Sequence, residues 1–138
     1  MSKYLDIPAS RISVVPLGIS MDGYDPTVAG AGFSRPEGRP FTIGYFARVA
    51  PEKGLHVLAD AYVRLRRRTA EMPMRLEAAG YLARANRAYL DAVRRTLDEG
   101  GVGGEFSYAG EVDREGKLAF LRRLDVLSSS FRGLPSCV

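Results

Sequence analysis

The sequence predicts an α/β protein with a parallel sheet and covering helices. Three observations carry this. From residue 41 onward, short apolar runs of strand length alternate with longer stretches of helical periodicity, in the order β-α-β-α-β-α-β. Glycine or proline stands at most junctions between them. The chain has 138 residues, 46% hydrophobic and 26% charged, which suits one soluble domain with a real core.

The elements follow in order. Ile12 to Pro16 is a short β-like run ended by proline, and 17–26 is turn-rich. Residues 27–40 hold five glycines and prolines and read as a linker, so residues 1–40 form an extension ahead of a domain over 41–138. Phe41 to Ala47 is a nearly continuous apolar run, as in a buried strand. Pro51 suits a helix start, because its missing N–H has no partner to lose there. Leu55, Leu58, Ala61, Tyr62 and Leu65 then follow at helical spacing, and Pro73 closes the unit. Met74 to Gly80 is the second strand. Ala85, Ala88, Tyr89, Ala92, Val93 and Leu97 form the next helical stripe. Gly100 to Gly104 reads as a helix cap and turn, since it follows a helix and precedes a strand, the reverse of a phosphate loop. Phe106 to Gly110 is the third strand, Leu118, Leu121 and Leu124 mark a helix, and Asp125 to Ser129 is the last strand.

Counting residues excludes several chemistries. One cysteine, Cys137, allows no internal disulfide and no cysteine-based zinc site. One histidine, His56, leaves no room for a histidine-based metal centre, and it reads as a packing or surface residue. The net charge is +4, and 17 of the 20 cations are arginine, but they are dispersed apart from Arg66-Arg67-Arg68 at a helix end. No basic stripe interleaved with aromatics accompanies them, so nucleic acid is not the expected partner. No apolar run is long enough to span a bilayer, and residues 1–6 lack a signal-peptide core, so the expected compartment is the cytoplasm.

In open parallel sheets, ligands bind beyond the carboxyl ends of the strands. The segment after the first strand is the most informative such position. Gly44-Tyr45-Phe46-Ala47-Arg48-Val49-Ala50-Pro51-Glu52-Lys53-Gly54 runs from strand through tight loop to helix. Arg48 falls at the strand's end and Lys53 in the expected first helical turn. Two cations beside helix N–H groups suit a diphosphate, arginine as a bidentate fork and lysine as a point charge. The competing reading makes both solvated surface charges.

Gly44-x-x-x-Arg48-x-x-Pro51-Glu52-Lys53-Gly54, followed by an amphipathic helix, resembles the nucleotide-binding half of GT-B glycosyltransferases, and within them family four, the group 1 transferases. Arg11 to Ile19 is similar to the linker entering their C-terminal domain. Phe106-x-x-x-Gly110-Glu111-Val112, a helix and Leu124-Asp125-Val126 are similar to their next strand–loop–helix–strand. The resemblance implies a partial Rossmann-like sheet and transfer of a sugar from a nucleotide-diphosphate donor, usually with retention, and it calls for no metal and no cofactor. Arg48 and Lys53 would act on the diphosphate as the catalytic cations. Gly44 and Gly80 would belong to the donor site, with Gly80 letting backbone approach the donor. Glu111 and Val112 would lie near the nucleobase.

The sequence departs from that family in one region. Two glutamates eight positions apart follow the last strand in the family, whereas here no carboxylate follows Asp125. The acceptor-binding N-terminal domain, which would also supply any membrane contact, is not in this sequence. The chain is therefore expected to be a piece of a transferase, inactive by itself. The second reading is a small non-catalytic α/β module that binds a nucleotide or packs against a partner. Glu52, Asp113 and Glu115 read as capping or surface carboxylates, and Ser128-Ser129-Ser130 has no accompanying base.

Overall fold

A computed structural model describes residues 8–11, 13, 15, 18 and 38–128. The chain divides into two units, Met1–Ala31 and Gly32–Val138. In the first, Ala9–Arg11 forms one 3-10 turn. Most of the expected run over 12–16, the turn-rich stretch and the linker lie outside the described residues, as do Ser129, Ser130 and Cys137.

In the second unit four parallel strands form: β1 (Phe41–Phe46), β2 (Met74–Ala79), β3 (Phe106–Tyr108) and β4 (Val126–Leu127). Helices α1 (Leu55–Arg68), α2 (Arg87–Glu99) and α3 (Arg114–Arg122) connect them. The strand order is β3-β2-β1-β4, all parallel. The chain thus builds outward from β1 through β2 to β3, then returns to the other side of β1. That reversal puts a topological switch point between β1 and β4.

Strand alternation assigns the two faces. Ile43 and Tyr45 of β1, with Met74, Leu76 and Ala78 of β2, pack under α1 and α2. Phe46 and Ala79 face the other way, against Phe120 and Leu124. Gly44 lies on this second face, where a Cβ would stand 2.1 Å from a Leu124 methyl. Leu124 therefore seats directly on the backbone of β1.

The expected helical stripes shift in detail. On α1, Ala59 and Val63 are buried and Ala61 is exposed. On α2 the buried residues are Leu90, Val93 and Leu97, while Ala88 and Ala92 face water, and Ala85 sits in the preceding 3-10 turn Arg84–Asn86. Alanine suits either face of a helix, whereas leucine settles the larger burial. The end of α2 is a Schellman cap, as the glycine run implies. Gly101 is left-handed, its N–H donates to the Asp98 carbonyl, and that of Val102 to Leu97.

Asp125 fastens β4 to β1. Its carboxylate accepts from the Thr42 amide at 2.7 Å and from the Arg39 guanidinium at 2.5 Å, while its own amide donates to the Thr42 carbonyl. The carboxylate is 10% exposed. Asp125→Ala would leave the Thr42 amide and the Arg39 charge without this acceptor. The expected cost is about 3 kcal/mol by denaturant unfolding, with Asp125→Asn recovering part of it. A loss under about 0.5 kcal/mol would show that water replaces the carboxylate there.

Candidate functional site

The carboxyl ends of β1, β2 and β3 are knitted into one surface. The Ala47 amide donates to the Ala79 carbonyl, Val49 to Tyr81, Gly80 to Gly110, and Ala109 to Ala78. The Tyr108 hydroxyl donates to the Gly80 carbonyl at 2.6 Å, and the Asn86 amide group donates to the Val49 carbonyl at 3.1 Å. On the far side of β1, the Ser128 amide donates to the Gly44 carbonyl. The segments that the sequence marks for ligand contact thus lie along one edge of the sheet.

Arg48 follows β1 with its side chain about half exposed. It donates to Glu52 at 2.6 Å, so Glu52 is the ion-pair partner of Arg48 rather than a helix cap. Both groups face solvent, and a pair of this kind contributes under about 1 kcal/mol, little enough for an anionic ligand to displace.

Lys53 differs from its expected setting. Pro51–Lys53 is a 3-10 turn, and Gly54, left-handed at φ +73°, separates it from α1. Lys53 therefore precedes the α-helix instead of lying in its first turn. The start of α1 is also already occupied. The His56 amide donates to the Tyr89 hydroxyl at 3.1 Å, and the His56 ring nitrogen Nδ1 lies 2.9 Å from the same oxygen. The two rings meet edge to face. His56 is a packing residue, and the cations of the loop, more than free helix amides, would meet an anion.

Gly80 has φ +133°, and a Cβ there would stand 2.2 Å from the Ala47 carbonyl oxygen. The close approach it permits in this structure is between the ends of β1 and β2. Glu111 is exposed at the same edge, near enough to the Tyr108 phenol to reinforce the upward shift that burial imposes on it. Val112 is half-buried and packs against the cluster of Ala79, Phe120 and Leu124.

Three side chains at this edge escape the sequence reading. Tyr81, directly after Gly80, is 51% exposed. Lys117 of α3 stands 5.6 Å from the Phe46 ring at the end of β1. Tyr45 is 1% exposed, and its hydroxyl reaches the carbonyls of both Arg48 and Lys53. Alternation alone marks Tyr45 as buried but cannot say where its hydroxyl goes. A groove of about 310 Å³ lies elsewhere, between α1 and α2, lined by Asp60 and Glu99 as well as Arg64 and Arg67. Its charges balance, so it offers an anion no net attraction.

Among the described residues, no three His, Cys, Asp or Glu side chains gather as a metal site requires, and no helix is long and apolar enough to cross a membrane.

Burial pushes the Tyr45 and Tyr62 phenols well above the ordinary tyrosine range, with the hydrogen bond to Glu105 adding to the effect at Tyr62. The unfolded chain releases these protons from about pH 10, whereas the folded chain holds them to higher pH. Above that point the unfolded state binds fewer protons, so stability falls as pH rises. Each phenol should steepen the fall by up to about 1.4 kcal/mol per pH unit. Unfolding free energies of Tyr45→Phe and the unmodified chain, compared between about pH 9 and 11, check this. Parallel curves would show that Tyr45 ionises in the folded state as easily as in the unfolded one.

No family model matches the chain, and none of the curated proteins matches its sequence. Solved structures do. The Anabaena protein Alr3699/HepE, crystallised with UDP and glucose, matches with a TM-score of 0.57 and 18% identity over 67% of this chain and 23% of that one. The C-terminal domain of a group 1 glycosyl transferase, LpcC of Francisella tularensis, gives 0.57 and 16% over 63% of this chain and 44% of that one. A glycosyltransferase of Rickettsia africae gives 0.57 and 15% over 67% and 23%. The chain spans less than half the length of each. Its parallel sheet and covering helices thus share the fold of part of the group 1 glycosyltransferases, as the order of its motifs implies.

Proposed function

We propose that residues 41–128 form the donor-nucleotide side of a sugar transferase cleft. The observation that carries this reading is the Arg48–Lys53 loop. It leaves the carboxyl end of β1, beside the topological switch point, and carries two cations on a short turn held against the neighbouring strand ends. The Anabaena protein of the same fold was crystallised with UDP, which supports a nucleoside diphosphate as the ligand class.

In this reading Arg48 and Lys53 hold the donor's diphosphate. As the bond between the sugar and the diphosphate breaks, negative charge grows on the leaving nucleotide, and fixed cations stabilise it. Arg48 offers a planar fork once Glu52 yields, and Lys53 a compact charge. Gly80, Glu111 and Val112 border the nucleoside, and Gly44 contributes from within β1 by letting Leu124 seat against the strand. Transfer proceeds with retention.

Calorimetric titration of the 138-residue chain with UDP, GDP and ADP tests the reading. Saturable binding of one of them, with affinity falling as salt rises, is expected. No heat of binding from any of the three, in a sample with a cooperative melt, would overturn it. A small nucleotide-binding or partner-packing module is the second reading, and it is favoured by the exposed Val126 and Leu127 of β4. Self-association without nucleotide binding would select it.

A further inference from the structure

We infer that the buried phenol of Tyr45 is a positioning residue for the Arg48–Lys53 loop, setting the geometry in which that loop meets a diphosphate. The inference rests on the reading of the site given above. Tyr45 lies in β1 with its ring in the core between the sheet and α1. Its hydroxyl lies 3.1 Å from the Arg48 carbonyl and 3.3 Å from the Lys53 carbonyl, so one proton is shared between two acceptors at opposite ends of the turn. The bond links the peptide groups of the two residues whose side chains carry the charge.

Two physical consequences follow. A carbonyl oxygen is the negative end of a peptide dipole and would repel a phosphate. Drawn to the phenol, those of Arg48 and Lys53 are engaged from within the protein. The loop also has no helical ladder of its own, since Pro51–Lys53 is a single 3-10 turn and Gly54 breaks the backbone direction before α1. Its backbone bonds include the Lys53 amide to the Ala50 carbonyl and the Gly54 amide to Pro51. Val49 anchors the first half of the turn, buried in the core and bonded to Tyr81 and Asn86. The Tyr45 hydroxyl adds the tie that joins the two ends, and it fixes the separation of the backbone positions from which the two cations project before ligand arrives. Pre-ordering of this kind strengthens binding by removing an ordering cost.

The control is Tyr62. Its hydroxyl is equally buried in the same core, but bonds Glu105 just before β3, at the opposite end of the strands. Titration uses whichever of UDP, GDP and ADP binds the unmodified chain most tightly. Tyr45→Phe should weaken that binding roughly fivefold, while Tyr62→Phe, at similar cost to stability, should change it less than twofold. On a Lys53→Ala background, Tyr45→Phe should cost less than about twofold further, because with one of the two cations gone their relative placement no longer matters. Circular dichroism confirms folding, and Tyr45→Met, which also fills the space without a hydroxyl, replaces Tyr45→Phe should that variant not fold. Equal binding by Tyr45→Phe and the unmodified chain overturns the inference alone. So does equal weakening by the Tyr62 control, which would reduce the effect to general stability. Absence of binding by the unmodified chain overturns the reading of the site, and this inference with it.

Discussion

Arg48→Ala combined with Lys53→Ala should reduce nucleoside diphosphate affinity by about two orders of magnitude or more. Each charged contact contributes roughly 1.5–3 kcal/mol when the partner is an anion. Lys53→Glu should be at least as damaging, because it adds repulsion to the loss. His56→Ala should change affinity less than about threefold, since that ring is engaged with Tyr89. Glu52→Gln provides the opposite sign. It frees Arg48 from its 2.6 Å partner and should tighten binding a few-fold. Titration calorimetry of these variants is the check. Damage from His56→Ala equal to that from Lys53→Glu would move the anion site away from the loop and towards the start of α1.

Gly80→Ala should be the most destabilising small substitution in the sheet. The new methyl meets the Ala47 carbonyl oxygen at 2.2 Å and its carbon at 2.7 Å, and both atoms are backbone. Ala47 cannot retreat without losing its own bond to the Ala79 carbonyl. The φ of +133° adds strain that any side chain would carry. A cost above about 4 kcal/mol is expected, or a fall in melting temperature beyond about 15 °C. Gly101→Ala separates the two contributions. Gly101 has φ +75° with nothing within 4 Å of the added carbon, so it should cost only about 1 kcal/mol. Similar losses at both positions would mean that backbone strain, not the Ala47 contact, dominates.

The strand–helix alternation was legible because each strand is a short apolar run bounded by punctuation. Phe41–Phe46 and Met74–Ala79 end within one residue of their expected limits. The loop's cations were legible too, from residue type and place in the topology. Their exact setting was not. Pro51 does open a helical turn, but the left-handed Gly54 ends it after three residues, and a proline–glycine spacing alone does not reveal that. The face of α2 was blurred by alanines, which carry little burial energy, and Leu90 decides it. Phe120, the most buried residue of α3, falls between the leucines at 118 and 121 that mark the helix. The ties through Tyr89 and Asp125 join residues far apart in the chain, so no local pattern announces them. The tie through Tyr45, though local, depends on how the turn after β1 folds back over the strand end.

The seam between β1 and β4 closes at the largest chain separations in the molecule's described bonding: 83 residues from Thr42 to Asp125, and 86 from Arg39 to Asp125. The entropy of closing so long a loop must be met before its bonds form, whereas β1, β2 and β3 assemble through successive shorter excursions of chain. β4, two residues long with both side chains about half exposed, gains little apolar burial in return. Its docking therefore belongs at the end of folding, and its release at the beginning of unfolding. The β1–β4 switch point is then the last part of the sheet to be completed. A chain newly emerged from synthesis would bury its main core beneath α1 and α2 well before it completed that seam.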